Sequence, residues 1–151
     1  MSAFKIFLVE DNADHARLIA DTLKENAFAT DLVHCGCGRE ALDRLQVAAA
    51  KGSLPDLILL DLNMPGLSGI DVLRRIKTDG VLRVIPTVML STSPAPSDIQ
   101  ACLSAHANSY ICKSADIDEL ERKVTGVCTY WHEINVSAGA PNWEETLCGR
   151  R

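Results

Sequence analysis

Positive charge is scarce in this chain. Fifteen Lys and Arg stand against twenty Asp and Glu, a formal net charge of −5. That balance excludes non-specific binding to nucleic acid, which needs a basic face. Long apolar runs are missing too. The N-terminal segment, "MSAFKIFLVEDN", has only a few apolar residues before two acids, too short for a signal peptide or a membrane span, so the protein is expected in the cytosol, with no membrane partner. Six cysteines occur, at 35, 37, 102, 112, 128 and 148, but they form one C-x-C, no C-x-x-C, and no histidine follows at finger spacing. This pattern speaks against a zinc finger and for core or surface thiols in a reducing compartment. Neither an internal repeat nor a low-complexity segment is present.

What remains is ordinary globular material: 151 residues, 47% hydrophobic and 23% charged, enough for one domain with a sizeable core. Short apolar runs at 5–10, 28–35, 56–61, 86–91 and 109–113 alternate with helical patterns at about 14–26, 39–50, 70–78, 97–105 and 117–132. The third and fourth runs, "LILL" and "TVML", are almost unbroken, as in strands buried on both faces. Five such alternations predict a parallel sheet with helices on both faces. Residues 1–134 are read as the domain, and 135–151, where periodicity is lost, as a tail. Asp116 with Glu119 reads as a D-x-x-E capping pair, and Ser97 as the N-cap of the fourth helix. Pro65 and Gly66 read as the centre of a type II turn. The fourth helix ends without glycine, which leaves His106 or Asn108 to take a left-handed backbone.

The polar residues gather where the strands end. The first run closes on Glu10 and Asp11, the third on Asp61, the fourth on Ser91 with Thr92 and Ser93 behind it, and the fifth on Lys113. In an open parallel sheet ligands bind outside the carboxyl ends of the strands. Three carboxylates brought together repel, and one would take up a proton unless cations offset them. Mg²⁺ suits a few carboxylate oxygens plus phosphate, and Lys113 adds a second positive charge. A carboxylate in that setting can attack a phosphoryl group in line and form an acyl phosphate.

The segments "FLVEDN", "LILLDLNMPGLSG", "PTVMLSTS" and "SYICKS" resemble the receiver domain of bacterial response regulators. The resemblance covers about Lys5 to Tyr130 and implies a flavodoxin-like (βα)5 fold with strand order 2-1-3-4-5. Residue by residue, it implies that Asp61 is the phospho-acceptor, that Glu10 and Asp11 form the acid pair, and that Asp11, Asp61 and the Asn63 carbonyl touch Mg²⁺. It further implies that Ser91 is the switch hydroxyl, Tyr110 the switch aromatic and Lys113 the paired lysine. Asn63 and Ser93 fall at the positions that tune dephosphorylation. Two departures stand out: Ser114 follows the lysine where the family usually has proline, and Ser91 replaces the commoner threonine. "VEDNADH", "LSTS" and "SYICKS" together resemble the single-domain regulators paired with bacterial phytochrome histidine kinases.

The implied partner is therefore a sensor histidine kinase, a bacteriophytochrome among the candidates, or a phosphotransfer protein. A homodimer through the last helix and tail is expected, because Trp131 and Ile134 would overhang the sheet; the alternative is a monomer whose tail folds back, with Trp143 and Leu147 capping Trp131. The protein is not expected to be a turnover enzyme beyond slow self-dephosphorylation, and output is expected through protein contacts, since too few residues follow Ile134 for a DNA-binding module. A phosphatase with an aspartate nucleophile would want a second acid two residues on, where Asn63 stands and cannot titrate. A flavin or nucleotide binder would want a Gly- or Ser/Thr-rich loop after the first strand, where "EDNADH" is acidic. His15 reads as an exposed helix residue, and His34, His106 and His132 carry no motif.

Overall fold

The computed structural model describes residues 3–28 and 30–136. Five strands, β1 (Phe4–Val9), β2 (Thr30–Cys35), β3 (Leu57–Asp61), β4 (Thr87–Ser91) and β5 (Ser109–Cys112), form one sheet in the order β2-β1-β3-β4-β5. Every pairing is parallel. The helices are α1 (Ala13–Lys24), α2 (Gly38–Ala50), α3 (Gly69–Thr78), α4 (Pro96–Ser104) and α5 (Ile117–Thr129). The expected flavodoxin-like (βα)5 architecture is what the chain adopts.

Successive strand residues point to opposite faces, and the core divides accordingly. Phe7, Val9, Ile58, Leu60 and Met89 face α2 and α3 through Ala41, Leu42, Leu45, Val72, Leu73 and Ile76, with Cys102 of α4 joining them. Ile6, Leu8, Leu57, Leu59, Val88 and Leu90 face α1 and α5 through Ala16, Ile19, Leu23, Leu120, Val124 and Cys128. All five residues of β3 and all five of β4 are buried, which is why those two strands read as continuous apolar runs. Burying a large aliphatic side chain contributes about 1.5–3 kcal/mol, so each layer is held by many such terms.

Local details both follow and depart from the sequence reading. Gly66 has φ +75° and His106 φ +71°; the turn glycine and the left-handed helix end are as expected, with His106 rather than Asn108 taking the positive φ. Ser97 is not the N-cap of α4. Ala95 caps it without a side-chain bond and Pro96 opens the first turn, a position where proline's fixed φ and missing N–H cost nothing. Asp116 does cap α5, accepting from the Asp118 and Glu119 N–H groups. The return half of the capping box is absent. Ser114 Oγ accepts from the Asp116 N–H at 3.1 Å and donates to Glu119 Oε2 at 3.0 Å, so the serine standing in the usual proline position organises the start of α5.

The last helix continues past Thr129 as a π turn, Tyr130–Ile134. Trp131 does not overhang the sheet: it packs against the α1–α5 core, with its indole N–H buried and unpartnered. Ile134 is 64% exposed. The expected tail from 135 onward, with Trp143 and Leu147, lies outside the described residues beyond Val136.

Candidate functional site

The strand order reverses direction between β1 and β3, and both strands end in acid. β1 runs into Glu10, 1% exposed, and β3 ends in Asp61, 5% exposed. Asp11 follows Glu10 and is exposed. Carboxylate oxygens of Glu10, Asp11 and Asp61 all lie within 4.8 Å of one another. Gly69, at the start of α3, makes this possible from below. A Cβ there would sit 2.1 Å from the Asp61 carbonyl oxygen and 2.6 Å from Leu62 Cα, so only glycine lets α3 begin directly against the acid's own backbone.

One buried cation serves these three acids. Lys113, just past β5, places Nζ 2.6 Å from Glu10 Oε2 and 3.6 Å from Asp61 Oδ1. Burial and the Glu10 charge push the Asp61 carboxyl up to about 7, against the opposing pull of Lys113. A single ammonium is therefore not enough for the cluster. The donor set fits a hard divalent cation: carboxylate oxygens of both buried and exposed acids converge, and an unmet negative charge is already expressed in the Asp61 pKa.

A second layer of contacts surrounds the acids. The Asn63 N–H donates to Asp61 Oδ1 at 3.4 Å, and the Asn63 side-chain amide donates to Ser91 Oγ at 3.4 Å. Ser91, fully buried at the end of β4, also accepts from the Ser93 N–H at 3.0 Å. The Tyr110 hydroxyl donates to the Ser93 carbonyl at 2.7 Å, and its ring packs against the α2–α3 core. Burial raises the Tyr110 pKa, so the phenol stays protonated as a donor. The structure thus brings together Glu10, Asp11, Asp61, Asn63, Ser91 and Lys113, with Tyr110 joined to them through Ser93.

Two residues of this neighbourhood escaped the sequence reading. Asn12 caps α1, accepting from the Asp14 and His15 N–H groups at 3.0 Å each; an Asn before the first helical residue was a readable signal. His15 was read as an exposed helix residue. Its Nδ1 lies 3.2 Å from Lys113 Nζ, a contact between residues 98 apart that no local pattern announces. Of the C-x-C cysteines, Cys35 is buried and donates its thiol hydrogen to the Cys37 carbonyl, and Cys37 is exposed. Among the described residues the acidic triad is the one group of three or more His, Cys, Asp or Glu arranged to hold a metal.

Residues 6–125 match the family described as the response regulator receiver domain. "Probable methanogenesis regulatory protein FilR2" of Methanothrix harundinacea is 39% identical over 137 residues, 90% of this chain and 88% of that protein. Response regulator Rcp1 of Synechocystis sp. is 36% identical over 130 residues, 85% of this chain and 88% of the relative. The structure of the Mn²⁺-bound form of Rcp1 matches with a TM-score of 0.80 over 87% of this chain and 96% of that one. The phosphorylated cyanobacterial phytochrome response regulator RcpA matches with a TM-score of 0.84 and 41% identity, over 89% of this chain and 98% of that one. With its fold, its strand-end acids and these relatives in agreement, the chain belongs to the response regulator receiver domain family of two-component signalling.

Proposed function

We propose that the chain accepts a phosphoryl group on Asp61 from a histidine kinase or phosphotransfer protein and signals through the surface that this modification alters. The observation that carries the reading is the buried Asp61 carboxylate at the end of β3, within 4.8 Å of two further acids and 3.6 Å from the Lys113 ammonium. In the transfer, an Asp61 carboxylate oxygen bonds to phosphorus as the P–N bond of a phosphohistidine breaks. The leaving imidazole keeps the bonding electron pair and takes up a proton, and the product is an acyl phosphate. Mg²⁺ held by Glu10, Asp11, Asp61 and the Asn63 carbonyl would neutralise charge on the carboxylates and phosphoryl oxygens.

The chain's own groups do the rest. Lys113 stands beside Asp61 to meet a phosphoryl oxygen. The Ser91 hydroxyl donates to another, which takes its oxygen away from the Ser93 N–H it now accepts at 3.0 Å. Ser93 also holds Tyr110 through its carbonyl, so a displaced Ser93 loosens the aromatic and reshapes the α4–β5 face. This is a local charge event biasing a packed element. Asn63 and Ser93 flank the acceptor and set how readily water reaches the acyl phosphate, giving a slow self-catalysed dephosphorylation.

The likeness to the cyanobacterial phytochrome response regulator RcpA supports a phytochrome-type histidine kinase as the donor. A homodimer through the last helix and tail is part of the same reading, since Tyr130 and Ile134, just past α5, present apolar surface at 45% and 64% exposure. No helix among the described residues is long and apolar enough to cross a membrane.

With Mg²⁺ and phosphoramidate, the intact mass should rise by one acid-stable, base-labile phosphoryl group, and Asp61→Asn should not gain it. In the same protein, beryllofluoride should shift the amide resonances of residues 92–112. Equal labelling of the Asn variant removes the acceptor assignment, and unmoved amides remove the switch.

A further inference from the structure

Lys113 is nearly buried, with 4% of its side chain exposed, and its ammonium has three hydrogens to satisfy. Glu10 Oε2 lies at 2.6 Å, Asp61 Oδ1 at 3.6 Å and His15 Nδ1 at 3.2 Å. His15 does not reach this place by drifting. Its backbone N–H is pinned by Asn12 Oδ1 at 3.0 Å in the first turn of α1, and its ring, 37% exposed, also comes within 3.7 Å of Glu10 Oε1.

We propose that His15 is a positioning residue for phosphoryl transfer to Asp61, holding the Lys113 ammonium over the acceptor; the inference rests on the acceptor role given to Asp61 above. An ammonium has no lone pair to offer, so Nδ1 is the acceptor of this bond and the ring hydrogen sits on Nε2. The second anchor matters because of where the first one pulls. Glu10 is closer to the ammonium than Asp61 by a full ångström, and a carboxylate alone would hold the charge away from the reacting oxygen. His15 is a second, uncharged anchor that fixes the ammonium 3.6 Å from Asp61 Oδ1 without adding negative charge beside the reacting oxygen. Fixing a donor in advance of the charge that develops in transfer is the cheapest form of transition-state stabilisation.

The test uses the full chain saturated with Mg²⁺ and phosphoramidate as donor, with labelling followed by intact mass. His15→Ala should lower the rate at saturating donor about fivefold to tenfold, the scale of one ordinary hydrogen bond lost at a partly exposed side chain. The donor concentration giving half the maximal rate should stay where it is. His15→Gln, whose side-chain oxygen can accept from Lys113, should restore most of the rate. Equal saturating rates for wild type and His15→Ala overturn the proposal, as does a loss that glutamine fails to repair or one confined to the half-saturating concentration. A wild-type chain that takes up no phosphoryl group sinks the acceptor reading and this proposal with it.

Discussion

Asp61 is held in a state that costs stability when no cation accompanies it. Its carboxyl is raised from 3.8 to about 7, first by burial and then by the Glu10 charge. Between pH 4 and pH 7 the folded chain therefore carries a proton that the unfolded chain has already released. Stability is fully present below the unfolded value and is lost as pH rises through 7. In metal-free buffer, Asp61→Asn should raise the melting temperature at pH 8 by about 3–8 °C, the equivalent of 1–2 kcal/mol for a domain of this size. That gain should shrink at pH 4.5 and again when Mg²⁺ is added at pH 8. A variant no more stable than wild type at pH 8 would show that the carboxylate is solvated in the folded protein. A contrast is the half-buried Lys77, whose ammonium donates to the Arg83 and Ile85 carbonyls and to Asn108 Oδ1. There carbonyl oxygens, not counter-charges, satisfy the cation, and burial lowers its pKa.

At the scale of elements, the start of α3 decides where Asp61 stands. The Gly69 N–H donates to the Leu62 carbonyl at 2.9 Å, and the space a Cβ would need is already filled by Asp61 and Leu62 backbone. Neither backbone segment can yield without moving β3. Gly69→Ala should destabilise the protein by about 2–4 kcal/mol, as overpacking against rigid atoms does, and should weaken Mg²⁺ binding along with it. Chemical denaturation and metal titration monitored by NMR would check both, and a variant of unchanged stability would mean that α3 slides freely. Much of the element layout was legible because it is local. Unbroken "LILL" and "TVML" announce strands covered on both sides, and strand-end acids announce the site. What could not be read was long-range or unpatterned. The His15–Lys113 contact joins helix α1 to the residue after β5. Trp131 was placed beyond the sheet because helix length alone measured it, while the π turn tucks it against the α1–α5 core. Pro96 outranked Ser97 as the helix start because ring geometry at the first turn acts before a hydroxyl can.

For the molecule as a whole, the question is what covers the far end of α5. His132 stacks on Phe28 with ring centroids 3.8 Å apart, and Phe4 meets both rings edge-on, so part of that end is already closed by the chain itself. Ile134 and Val136, 64% and 93% exposed, are not. If a second copy covers them, the full chain should sediment as a dimer at tens of micromolar and a chain ending at Glu133 as a monomer. A full chain that stays monomeric at those concentrations, where such contacts act by mass action, removes the dimer.

The ion pair that completes the site joins Glu10 to Lys113, 103 residues apart. Synthesis makes the three acids first and Lys113 only after the whole of β5. Until β5 closes the sheet, a nascent chain displays its carboxylates without their buried cation. The site is thus completed late and all at once, by the joining of the last strand.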